Sequence, residues 1–230
     1  MLTVAFLVGV AVVAFLAVEV GPLYAADRFR DLREPTAGER ERLASLRETA
    51  GLDVDRVAIE TRRREDGGAE GSEDAIGRID AGVRGPPGRR VLFVTESVLD
   101  ALDEDVAIGL LAAEAGRVET YYGEFRAVAI AAVLAILAAI VTVAVPFQAG
   151  FASLVAVGLA AFWAGRRVQY AADDRAADAV GAGRVADAFE RVAAARGVEP
   201  ETGDWSTWFE VQPPLGDRIA TLRERGDGEN

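Results

Sequence analysis

The chain contains no cysteine and no histidine, and its 25 basic residues are all arginine, so lysine is absent too. Without cysteine there are no disulfides, thiolate metal sites or cysteine nucleophiles. Without histidine the chain lacks the commonest zinc ligand and the usual general base near neutral pH. The net charge of −12 leaves no broad basic surface to meet phosphates, which argues against nucleic acid as a partner. An acidic, lysine-free surface on a Val/Ala/Gly-rich chain reads as the mark of a salt-adapted proteome; an acidic face for a basic partner is the alternative. With 230 residues, 51% of them hydrophobic, there is material for one compact domain and some membrane segments.

Long apolar runs are what the chain has in plenty. Residues 1–24 are almost continuously apolar, broken only by Glu19. That length spans a bilayer. A signal peptide is the rival reading, but no positive residues precede the run and "LYAA" is a poor cleavage site, so an uncleaved helix is expected. Residues 127–145 carry no charge, and after "PFQAG" neither do residues 151–165. Two such segments around a short Pro/Gly turn make a transmembrane hairpin over 127–165, or else a hairpin buried in a soluble core. With no polar face on either helix, the membrane reading is preferred.

The arginines orient these spans. Arg28, Arg30 and Arg33 follow the first, Arg117 and Arg126 precede the second, and Arg166 and Arg167 follow the third. The positive-inside rule places all of them in the cytoplasm. The expectation is a multi-pass cell-membrane protein in contact with the lipid bilayer, its soluble domain on the cytoplasmic side.

The remainder is soluble in character. "TAGERERLASLRETAG" opens with the capping box Thr36–Glu39 and closes at Gly51, so it predicts a helix. "DRVAIET" alternates as a strand does. Residues 61–74 are polar and glycine-rich and read as a loop or a long-tipped hairpin, and "GPPGRR" at 85–90 is a turn. "VLFVT", Val91 through Thr95, suits a buried strand. A short helix and a longer one starting near Asp103 follow. Residues 166–225 are helical again, with the proline pair Pro213–Pro214 opening the last helix, and the tail 226–230 is expected to be frayed.

Taken in order, four stretches carry a resemblance: "RRVLFVTESVLDALDEDVAIGLLAAEAGRV", the apolar hairpin, "RRVQYAADDRAADAVG" and "STWFEVQPPLGDRIATL". The set resembles the HtpX-like membrane zinc metallopeptidases, a gluzincin family that includes the CAAX prenyl endopeptidases, over about residues 25–225. The resemblance implies an α+β fold: a membrane-anchored, mostly helical zincin-like domain with three transmembrane helices. One part of that domain would lie in 25–126 and the other in 166–225. Family members place two histidines at i and i+4 on one helix so that both reach a zinc, with a glutamate beside the first as general base.

Mapped onto this sequence, the first histidine position holds Ala113 and the second holds Arg117. The base position keeps Glu114, here a vestigial one. The third ligand position holds Gln169. Asp173 is retained, and Gln212 replaces the histidine before the double proline. Zinc, expected for the family, therefore lacks its ligands, and no cofactor is expected. Carboxylates alone suit calcium or magnesium better than catalytic zinc.

At i, i+3 Glu114 and Arg117 either pair on one helix face or both face water. Asp173 and its neighbour Asp174 are either remnants behind the former ligands or solvated helix charges. Trp205 and Trp208 either hold a ligand or pack the lobe. The run 62–66, "RRRED", either touches anionic lipid or is a solvated loop.

The functional expectation is a pseudopeptidase that acts by binding or regulation. Its partners would be unfolded membrane-protein segments or an active relative. The family's groove is an edge strand, which makes Val91, Leu92, Phe93, Val94 and Thr95 the expected strand for an added peptide. An active metallopeptidase with non-standard ligands and a structural subunit of a membrane complex are the alternatives.

Overall fold

The computed structural model describes residues 2–29, 32–61, 79–195 and 213–228. Gln212, Trp205, Trp208 and the run 62–74 lie outside them. The elements in order are α1 (Leu2–Phe29), β1 (Leu32–Arg33), α2 (Ala37–Thr49), β2 (Arg56–Glu60), β3 (Ala81–Arg84), β4 (Val91–Thr95) and α3 (Glu96–Asp100). They continue with α4 (Glu104–Glu119), α5 (Tyr122–Val141), α6 (Phe147–Val180), α7 (Ala182–Ala195) and α8 (Leu215–Gly228).

Helix α2 begins as its sequence dictates. The Thr36 hydroxyl accepts from the Glu39 backbone N–H while the Glu39 carboxylate accepts from the Thr36 N–H, so two otherwise orphaned donors are satisfied. Arg33 clamps that same carboxylate at 2.6 and 2.7 Å and reaches Glu96 at 3.0 Å. Arg33 thereby ties the entry of α2 to the start of α3.

Four short strands form one sheet in the order β1-β2-β4-β3. Strands β2 and β4 run parallel, with Val57 beside Leu92 and Ile59 beside Val94, while β1 and β3 are antiparallel to their neighbours. The period of two sorts the side chains. Ile59, Leu92 and Val94 face the main core, whereas Ala58 and Phe93 face the opposite side, where Leu23 and Leu32 cover them. Tight turning after β3 uses Gly85 and Gly88, both at positive φ.

This order corrects the expectation for 91–95. Strand β4 is hydrogen-bonded on both sides, by β2 and by β3, so no backbone edge remains on it for an added peptide. Among the described residues the edge strand on that side is β3, whose sequence "AGVR" carries almost no strand signal.

The centre of the soluble lobe is α4. Ten consecutive positions, Ala107 to Gly116, are buried, because β3, α2, α6 and α7 surround the helix. Two glycines allow the closest approaches. A Cβ on Gly116 would stand 2.1 Å from the Ala172 carbonyl oxygen of α6, and one on Gly109 2.4 Å from the Arg184 oxygen of α7.

Among the described residues, three helices are long and apolar enough to cross a membrane: Thr3–Tyr24, Tyr122–Val141 and Phe147–Val180. Only 11, 17 and 6% of their most apolar windows are buried by the protein, so their faces require a lipid-like surrounding. The hairpin expected at 127–165 is therefore longer at both ends. Helix α6 has no break at 165: it continues to Val180, 34 residues in all, and carries Gln169 and Asp173. Gly181, at φ 92°, separates α6 from α7. Of the tail expected to be frayed, residues 226–228 are helical, and 229–230 lie outside the described residues. Helix α8 runs to Gly228, held by Arg225, which pairs with Asp174 and Asp178 of α6.

Candidate functional site

Glu114 projects from α4 towards the edge of the sheet and is 3% exposed. Both of its oxygens are engaged. Oε1 accepts from Nη1 of Arg117, one helical turn on, and Oε2 accepts from the Val83 backbone N–H of β3 at 3.1 Å. Of the two readings left open by the spacing, the pairing is the one observed. Burial opposes the charge of Arg117, but the Glu114 and Asp173 carboxylates outweigh it and raise its pKa above the usual arginine value.

Strand β3, which pairs only with β4 among the described residues, meets this pair with its other edge. Arg84 turns back on its own strand and donates to the Val83 carbonyl at 2.9 Å. The Val83 N–H and C=O are thus both occupied from within the chain, one by Glu114 and the other by Arg84.

Ala113 is part of the apolar core. Gln169 is fully buried on α6 and donates from Nε2 to Asp173 Oδ1 at 3.4 Å. Asp173 is buried too, and Arg218 of α8 grips it with two bonds of 2.7 and 2.6 Å. Arg218 lies over the Phe189 ring of α7, 4.4 Å from its centroid. Asp173 is thus a buried strut between α6 and α8, whereas its neighbour Asp174 is exposed and pairs with Arg225. Two buried polar atoms have no hydrogen-bond partner among the described residues: Nε of Arg117 and Oε1 of Gln169.

These residues do not suit zinc. Ala113 offers no donor atom, Arg117 brings a positive charge, both oxygens of Asp173 are held by Arg218, and those of Glu114 by Arg117 and by the Val83 N–H. No three potential ligand side chains gather anywhere among the described residues.

A cleft of about 120 Å³ opens beside the Glu114–Arg117 pair, between the end of α1, β3 and the start of α5. Within it Arg90 bonds Glu124 at 2.8 Å, and Glu19 of α1 faces it while only 7% exposed. Sequence reasoning assigned none of Glu19, Val83, Arg90 and Glu124 to a site. The one available signal was Glu19, a lone charge in an apolar run.

No family model matches the chain, and no curated protein does. Among solved structures, the crystal structure of S. mikatae Ste24p is similar, with a TM-score of 0.64 at 15% identity. The match covers 94% of this chain and 56% of that one. The chain therefore has that fold over nearly its whole length, while spanning little more than half the length of its neighbour.

Proposed function

We propose that the chain is a non-hydrolysing relative of the membrane metallopeptidases and acts by binding. Ste24p, whose fold it shares, is a CAAX prenyl protease and a membrane zincin metallopeptidase. The observation that carries the reading is the saturation of Glu114. A general base must hold a proton-accepting oxygen free for a metal-bound water. Here one oxygen faces the Arg117 guanidinium and the other the Val83 N–H. A cation in the second ligand position also repels a divalent metal.

In this reading the scaffold serves recognition. It engages unfolded membrane-protein segments or an active relative at the β3 side of the lobe, with that lobe in the cytoplasm. A segment adding to β3 must compete with Glu114 and Arg84 for Val83.

The test is metal content together with proteolysis, on the full chain in detergent at high salt. The expected result is sub-stoichiometric zinc and no chelator-sensitive cleavage of casein. Near-stoichiometric zinc with cleavage abolished by chelator and by Glu114→Gln overturns the proposal.

A further inference from the structure

We propose that the cleft between α1, β3 and the start of α5 holds the headgroup of a zwitterionic phospholipid, one whose ammonium keeps its N–H donors. The proposal does not depend on whether the chain hydrolyses peptides.

The depth of the cleft comes first. The first span ends at Tyr24 and the second begins at Tyr122. Glu19 lies near the end of the first span and Arg126 near the start of the second, and both line the cleft. The opening therefore sits where the apolar spans give way to the soluble lobe, at headgroup level.

Its chemistry comes next. Glu19 is 7% exposed, and no hydrogen bond or close ion pair reaches it among the described residues. A buried carboxylate at the edge of a membrane span, without a donor, is costly. Of the two cations that act on it, Arg90 is already bonded to Glu124 at 2.8 Å, and Arg126 makes no close ion pair with it. Arg84 and Arg126 line the same cleft without a carboxylate in contact, and Nε of Arg117 is a buried donor with no acceptor. Four arginines and three glutamates line the cleft, which makes it locally positive in a chain of net charge −12.

The vacant roles are one anionic acceptor and several cationic donors. A plain anion satisfies the arginines and leaves Glu19 without a donor; a plain cation does the reverse. A phosphodiester with a primary ammonium meets both, the phosphate at Arg84 and Arg126 and the ammonium at Glu19. About 120 Å³ admits a small polar group of this kind.

The test uses the full chain in mixed micelles, with retained lipid read by native mass spectrometry. The probes are phosphatidylethanolamine, phosphatidylcholine and phosphatidylglycerol with matched acyl chains. Phosphatidylethanolamine is expected to be retained on the order of tenfold better than phosphatidylcholine, whose quaternary nitrogen cannot donate. Glu19→Gln should erase that preference. The Arg84→Gln/Arg126→Gln double variant should weaken retention of all three lipids.

Equal retention of the two zwitterions overturns the proposal, as does preference for phosphatidylglycerol. Displacement of the lipid by an equal concentration of soluble phosphoethanolamine overturns the lipid as the source. If Glu19→Gln does not fold, the comparison of lipids on the unaltered chain still decides.

Discussion

At the scale of single residues, the pairing of Glu114 with Arg117 supplies a buried carboxylate with a positive charge. A carboxylate buried to 3% exposure needs a counter-charge, and a guanidinium one turn along the helix supplies it. Removing Arg117 leaves the carboxylate with the Val83 N–H alone. Arg117→Ala should therefore cost more than Glu114→Ala/Arg117→Ala relative to Glu114→Ala. The double-mutant cycle, read by thermal or denaturant unfolding, should give a coupling of about 1–3 kcal/mol. Additive effects would reject the pair as a stabilising unit. Glu39 offers a second test. Hydrogen bonds from Arg33, then from the Thr36 N–H, hold its pKa down to about 2 from an ordinary 4.5. A depressed carboxylate stabilises the folded state above its unfolded pKa and loses that contribution as pH falls through the folded one. The melting difference between the unaltered chain and Glu39→Gln should be constant above about pH 5 and shrink between about pH 4.5 and 2. A difference that grows on acidification contradicts this.

At the scale of elements, the lobe depends on α4 lying close against its neighbours. Gly116 faces the Ala172 carbonyl so closely that any side chain must push α6 away. Gly116→Ala should destabilise by about 1–3 kcal/mol, and Gly38→Ala, at an open position on α2, should not. Comparable melting points for the two would show that the contact is slack. The same elements show what was readable beforehand. The cap of α2 was legible because Thr36 and Glu39 are three residues apart, and the turn at 85–90 because Gly and Pro mark it. Strand β3 was not legible: four residues, one of them glycine, give no alternation. The place of β4 in the sheet was not legible either, since strand order is set by partners distant in sequence. At the site, Glu114, Arg117, Gln169 and Asp173 were identified by position, but the Asp173–Arg218 strut joins residues 45 apart and only folding reveals it.

At the scale of the whole molecule, the absence of cysteine becomes an experimental advantage. A single cysteine at Gln148, in the first turn of α6 next to the connection from α5, and another at Glu48 on α2 should be labelled by an impermeant maleimide from opposite sides of sealed vesicles. Labelling of both from one side would mean that the hairpin does not cross. The unbroken course of α6 has a consequence of another kind. At 34 residues it is a rod about 51 Å long, against a hydrocarbon layer of about 30 Å. Its inner length answers to lipid, and its outer length carries Gln169 and Asp173 into the lobe. Bilayers of different thickness tilt a spanning helix by different amounts. The Gly116–Ala172 contact joins this outer length to α4 at the centre of the lobe. A change of tilt in the third span would carry Gln169 and Asp173 with it, because both sit on the same unbroken helix, as the short arm of a lever follows the long one.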